Sequence, residues 1–234
     1  MRQYTLNRAK CKGLQHSRIL SDKRLSAILN TCYRLVFSSK SSQTLSMFLD
    51  IGLGILSAIF ISESFDVSIS PWLILTGIFF ALLPDIDFLI HIFQKKSPHH
   101  NAYEHRSLLH LPLLYIPLGA IVLWLLFGSV WAGLFSLASF LHFIHDSFGI
   151  GRGVHWLFPF SQNSFAFFYM HSRKVKQGLW QWIFVFNKET TAQFDKEHGD
   201  DDWIKNIYRS WHPFALLEYI GFILSIIILI YALR

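Results

Sequence analysis

Residues 71–93, PWLILTGIFFALLPDIDFLIHIF, decide how this chain is read. The run is long and apolar enough to cross a bilayer as a helix, yet it contains Asp85 and Asp87 and no lysine or arginine. An ionised carboxylate in an apolar setting costs several kcal/mol unless it is paired or bound to a cation. The two acids therefore mark a functional site, and the question is which cation they meet.

Working outward, the composition is that of a membrane protein. Hydrophobic residues make up 52% of the 234 and charged residues only 15%, far more apolar than an ordinary soluble domain. Further apolar runs lie at 45–61, 108–127, 130–148 and 214–233. They predict an all-α integral membrane protein with about five transmembrane helices. The third and fourth runs are separated only by Gly128-Ser129, which predicts a tight helical hairpin.

Charge sets the orientation. Of the 21 lysines and arginines, nine precede residue 45, three fall between residues 93 and 108, eight between 149 and 213, and one is Arg234. The loop 62–70 has Glu63 and Asp66 but no cation. By the positive-inside rule the N-terminus and the segments after the second and fourth spans are cytoplasmic, and the C-terminus faces outward. The net charge of +6 is thus mainly a topology signal that also favours anionic lipid headgroups as partners. No nucleic-acid motif accompanies it, so no nucleic-acid partner is expected.

The chain divides into four parts. Residues 1–44 are a basic, serine-rich cytoplasmic extension in which Leu25, Ile28, Leu29, Cys32 and Val36 recur at helical spacing; it is read as an interfacial helix or a disordered tail, with an organelle transit peptide as the alternative. Cys11 and Cys32 have no metal-ligand spacing and are read as reduced thiols. Residues 45–160 are the transmembrane core, 161–213 an aromatic and charged cytoplasmic segment, and 214–234 the last span. Within the third part, residues 179–187 are apolar but too short to span and are read as an interfacial or buried segment. Residues 189–202 are read as a solvated loop, and His99, His100, His171 and His198 as solvated loop histidines.

Polar residues enter the spans at Asp50, at Asp85 and Asp87, at His105 and His110, at His142 and Asp146, and at Glu218. On the orientation given by charge, all of them fall on the cytoplasmic side. His142 and Asp146 are i and i+4 and share a helix face, as paired ligands in helical bundles do. Asp85 and Asp87 cannot share a face; Pro84 before them predicts a local break that lets both reach one site. His145 lies one residue off the His142/Asp146 face, which points to a supporting role, and His91 is read as a packing residue.

Acids gathered without a basic partner call for a divalent metal, and histidines among them favour zinc, manganese or iron over magnesium or calcium. Six or more ligands exceed one tetrahedral shell, so two ions are expected. Glu218, an acid on the site side, is a further ligand or catalytic base.

These residues carry a resemblance. Leu-Pro-Asp85-Ile-Asp87, His105-Arg106-Ser-Leu-Leu-His110, His142-x-x-x-Asp146 and Phe158-Pro159-Phe160 together resemble the YdjM-type family of membrane-bound, metal-dependent hydrolases, also called LexA-binding inner-membrane-associated hydrolases. The resemblance covers residues 47–160. It implies a bacterial inner-membrane protein in which Asp85, Asp87, His105, His110, His142 and Asp146 bind metal for hydrolysis, with Asp85, Asp87, His105 and His110 closest to the chemistry. Two departures stand out. Asp50 occupies the place of a family histidine four residues before Gly54, and Leu109 and Leu111 flank His110 where the family has hydroxyl residues. Asp50 is accordingly expected among the ligands.

The expected function is metal-assisted hydrolysis of an ester or phosphoester, in a lipid or another small amphiphile, by water that the metal activates. The alternative is a divalent-metal or proton transporter using the same acids as a path. The nearly pure apolar outer halves of the spans favour a one-sided enzyme site.

Overall fold

A computed structural model of the chain describes residues 48–86, 109–149, 151–175, 178–200 and 202–234. Asp87, His91, His99, His100, His105 and the whole of residues 1–44 lie outside them.

Five helices form a bundle: α1 (Phe48–Ser64), α2 (Pro71–Leu82), α3 (Pro112–Phe127), α4 (Ser129–Asp146) and, after an intervening segment, α7 (Pro213–Ala232). Helix α1 is central, packing against α2, α4 and α7, while α2 also meets α4 and α3 pairs with α4. Helix α2 starts at Ser70, whose hydroxyl accepts the Leu73 N–H at 3.2 Å, with Pro71 pre-set for the first turn. It ends where Pro84 cannot continue the α ladder, passing into a 3-10 turn, Leu83–Asp85. Only Gly128, at φ +90°, separates α3 from α4, so the expected hairpin is as tight as the sequence implied.

The bundle core is Ala58, Ile61, Leu73, Phe80, Ala81, Leu134, Phe135 and Ala138. Helices α1 and α2 cross where Gly54 meets Gly77: a methyl group on Gly77 would lie 2.5 Å from the Gly54 carbonyl oxygen. Small residues at the crossing let the backbones approach, as in membrane bundles. The outer faces are aliphatic and exposed, with Leu118, Ile121 and Leu125 on α3 and Leu217, Ile220, Leu224 and Ile227 on α7. Among the described residues α7 alone is both long and apolar enough to cross a membrane, about 30 Å in length; Pro71–Asp85 and Pro112–Phe127 are apolar but shorter.

The all-α expectation needs correction. Strands β1 (Ser164–Met170) and β2 (Leu179–Phe186) form an antiparallel hairpin, paired from Ser164↔Phe186 to Met170↔Leu179 with an irregularity at Phe167/Phe168. The segment read as interfacial or buried is a strand. Its aromatic and β-branched residues suit a pleated surface, and Phe184 and Phe186 turn inward with Ala166 and Met170. Nor are residues 189–202 a loop throughout: α5 (Lys188–His198) begins at a capping box in which the Asn187 side chain accepts from the Thr190 N–H and Thr190 from the Asn187 N–H. The short α6 (Trp203–Tyr208) leads back to α7.

Candidate metal centre

Antiparallel connections bring alternate helix ends together at one end of the bundle. Asp50 stands in the first turn of α1, Asp85 in the 3-10 turn after α2, His110 two residues before α3, and His142 and Asp146 in the last two turns of α4. Pro112 keeps Leu111 out of the helical conformation, at φ −118° and ψ 77°, so His110 approaches from a non-helical segment.

Asp85, His110, His142 and Asp146 each offer a donor atom, and these atoms all lie within 4.8 Å of one another. His110 Nε2 is 3.4 Å from Asp85 Oδ1 and 3.1 Å from Asp146 Oδ2. His142 Nε2 is 3.8 Å and 3.6 Å from the same two oxygens. Both histidines are buried, whereas the side chains of Asp85 and Asp146 are 20% and 12% exposed, so the group opens to its surroundings on the carboxylate side.

Behind His142 lies a second layer. Asp50 Oδ1 accepts from His142 Nδ1 at 3.1 Å and from His145 Nδ1 at 3.0 Å. His145 Nε2 reaches Glu218 Oε1 at 3.3 Å, and the Tyr208 hydroxyl donates to the same oxygen at 2.7 Å. Burial first, and then the adjacent Glu218, push the Tyr208 phenol far above its ordinary range, so it stays protonated and keeps its proton on the Glu218 carboxylate. Asp50, expected among the ligands, instead holds the far nitrogen of His142 and is not in the four-residue group. Glu218 is separated from that group by His145 and Asp50. His145 takes the supporting place its offset on the helix implied. Tyr208 carried no signal in the sequence, because the hairpin that returns the chain to α7 is what brings it to Glu218.

The donor set fits a divalent transition metal. With its Nδ1 proton given to Asp50, His142 turns a lone pair at Nε2 toward Asp85 and Asp146; that nitrogen is buried without a hydrogen-bond partner among the described residues. A lone pair facing two carboxylates repels them unless a cation intervenes, and a carboxylate–histidine pair of this kind is how metal-binding imidazoles are oriented. Two nitrogens and two oxygens within this span could hold one divalent ion, and a water would take a further coordination position beyond these four.

A smaller polar junction sits apart from this group. His171 Nε2 donates to Asp200 Oδ2 at 2.9 Å, and Ser172 Oγ pairs with His198 Nδ1 at 3.0 Å, so neither histidine is the solvated residue expected. Against burial, which alone would raise it, hydrogen bonds from Asn206, His171 and the Asp202 N–H hold the Asp200 carboxyl below its usual range. His212 accepts the Phe214 N–H on Nδ1 and faces the Tyr169 hydroxyl with Nε2, each at 3.2 Å. Burial, and then the neighbouring His171, hold it below the ordinary histidine value.

The chain matches the protein family described as YdjM inner membrane protein over residues 47–234. It is similar to inner membrane protein YbcI of Escherichia coli (strain K12), at 34% identity over 180 residues, covering 71% of this chain and 87% of that relative. No solved structure matches.

Proposed function

The chain belongs to the YdjM inner membrane protein family, and from that premise we propose that it is a membrane-embedded, metal-dependent hydrolase of esters or phosphoesters. The observation that carries this reading is the convergence of Asp85, His110, His142 and Asp146 within 4.8 Å, with His142 oriented from behind by Asp50. Zinc or manganese suits these donors; a second ion would draw on Asp87 and His105. When bound, the metal supplies Lewis acidity that polarises the scissile oxygen and lowers the pKa of water.

The chain's own residues do the rest. Asp50 fixes the tautomer of His142, and Tyr208, Glu218 and His145 fix Asp50 through hydrogen bonds. Phe143, whose ring lies 6.0 Å from that of His110 and 5.6 Å from that of His142, keeps the histidine side dry. Asp85 and Asp146, on the open side, are placed to take a proton from water.

The bundle of α1, α2, α3, α4 and α7 is the membrane domain in this reading, with the site at its cytoplasmic end, because the segment between α4 and α7 holds eight of the cations. A lipid or other amphiphile is then the economical substrate. Toward the opposite end, the buried polar side chains among the described residues are serines, as at Ser57, Ser62 and Ser139, and no buried acid continues the path. This favours a one-sided site over a transporter.

The test is metal analysis of the full chain purified in detergent, wild type against Asp85→Asn and His142→Ala, with a screen of ester and phosphoester hydrolysis. Wild type is expected to hold a transition metal and to hydrolyse a substrate that neither variant does. A wild type without metal, or variants equal to it in metal and turnover, would sink the proposal.

A further inference from the structure

A cavity of about 460 Å³ opens beside the cluster and shares His110 with it. Its size suits a small ligand or headgroup. Its wall includes Arg152, His155, Gln162 and Lys188 as donors and a single acid, Asp195, which forms an ion pair with Arg152. His155 Nδ1 is buried without a hydrogen-bond partner among the described residues.

The placement of the two strong cations is built into the fold. The Arg152 carbonyl accepts from Ser164 Oγ at 2.7 Å. The next residue, Gly153 at φ +72°, passes so close to the Phe165 backbone that no side chain fits there. The loop therefore cannot swing Arg152 away from the cavity without breaking its seat on β1. Lys188 stands in the first turn of α5, where a cation opposes the helix dipole and costs stability. The N–H groups of that turn are already capped by Asn187, so an anion in the cavity would meet the Lys188 ammonium itself and offset part of that penalty.

We propose that this cavity is the anion subsite of the hydrolase and takes the phosphate group of a phosphorylated substrate beside His110. The proposal rests on the hydrolase reading above and narrows its substrate class. A phosphate offers acceptor oxygens at once to the Lys188 ammonium, to the His155 imidazole and to the face of Arg152 that Asp195 does not occupy, whereas a neutral carboxylic ester brings no charge to match the ammonium. The phosphate comes from a lipid headgroup or from a soluble ester, and the competing ligands below separate the two.

The experiment titrates inorganic phosphate into the full chain in detergent, as wild type, Lys188→Gln and Asp195→Asn, with metal content measured on each. Lys188→Gln is expected to weaken phosphate binding about tenfold. Asp195→Asn, which releases Arg152, is expected to tighten it several-fold, and both are expected to keep the wild-type metal content. Because the variants move affinity in opposite directions, loss of folding cannot mimic the result. Glycerol phosphate and dioctanoyl phosphatidic acid then compete for the site; whichever displaces phosphate at lower concentration identifies the source. Affinity identical in all three proteins, or no binding to any of them, overturns the subsite. Absence of metal from the wild type overturns the hydrolase reading instead, and the comparison of the three phosphate affinities still decides the cavity.

Discussion

Asp50 shows how one side chain conditions a site it does not enter. It accepts from Nδ1 of both His142 and His145 and so fixes the nitrogen that His142 turns toward Asp85 and Asp146. Asp50→Ala is expected to lower metal affinity by about 10–100-fold without removing a ligand, measured by competition with a chelator. His212 gives a second prediction. Its folded-state pKa lies below its unfolded value of about 6.5, so as pH falls through that value the unfolded chain takes up the proton first and stability declines. Protonation also removes the Nδ1 acceptor that caps α7. The melting temperature is expected to be lower at pH 5.5 than at pH 7.5. His212→Asn, which keeps a capping acceptor but does not titrate, should flatten that difference; an unchanged slope would refute the assignment.

At the scale of elements, the crossing of α1 and α2 sets the spacing of Asp50 and Asp85. A side chain on Gly77 meets backbone rather than a movable side chain. Gly77→Val is therefore expected to cost about 1–3 kcal/mol and to lower metal content with stability, while Ile227→Ala on the exposed face of α7 costs less than about 0.5 kcal/mol. Thermal melting with metal analysis checks both. The hairpin β1–β2 is the element that sequence periodicity passed over. Apart from Gln181 and Asn187, residues 179–187 are all apolar or aromatic, so the alternation of a strand is hidden, and only the structure separates buried Phe184 and Phe186 from exposed Trp182 and Val185.

Among the described residues the helical bundle has one polar end and an aliphatic belt. If the polar end is cytoplasmic, a cysteine at Glu63 faces outward and one at Glu189 faces inward. In a background lacking Cys11 and Cys32, Glu63→Cys is expected to react with an impermeant maleimide in intact cells, and Glu189→Cys only after lysis. The opposite pattern would reverse the orientation.

The sequence by itself determined the apolar helices, the hairpin at Gly128, and four residues of the cluster, because burying a charge is so costly that an acid or histidine in an apolar run stands out without any coordinates. It did not distinguish which polar residue touches a metal and which stands behind one. Asp50 and Asp85 look alike as acids within apolar runs; they differ only in which nitrogen of His142 each faces. That distinction depends on helix rotation and on the close approach at Gly54 and Gly77, which are set by packing between segments far apart in the chain. The cavity beside His110 was decided the same way, since Arg152 and Lys188 meet only when β1, β2 and α5 fold back on the end of the bundle.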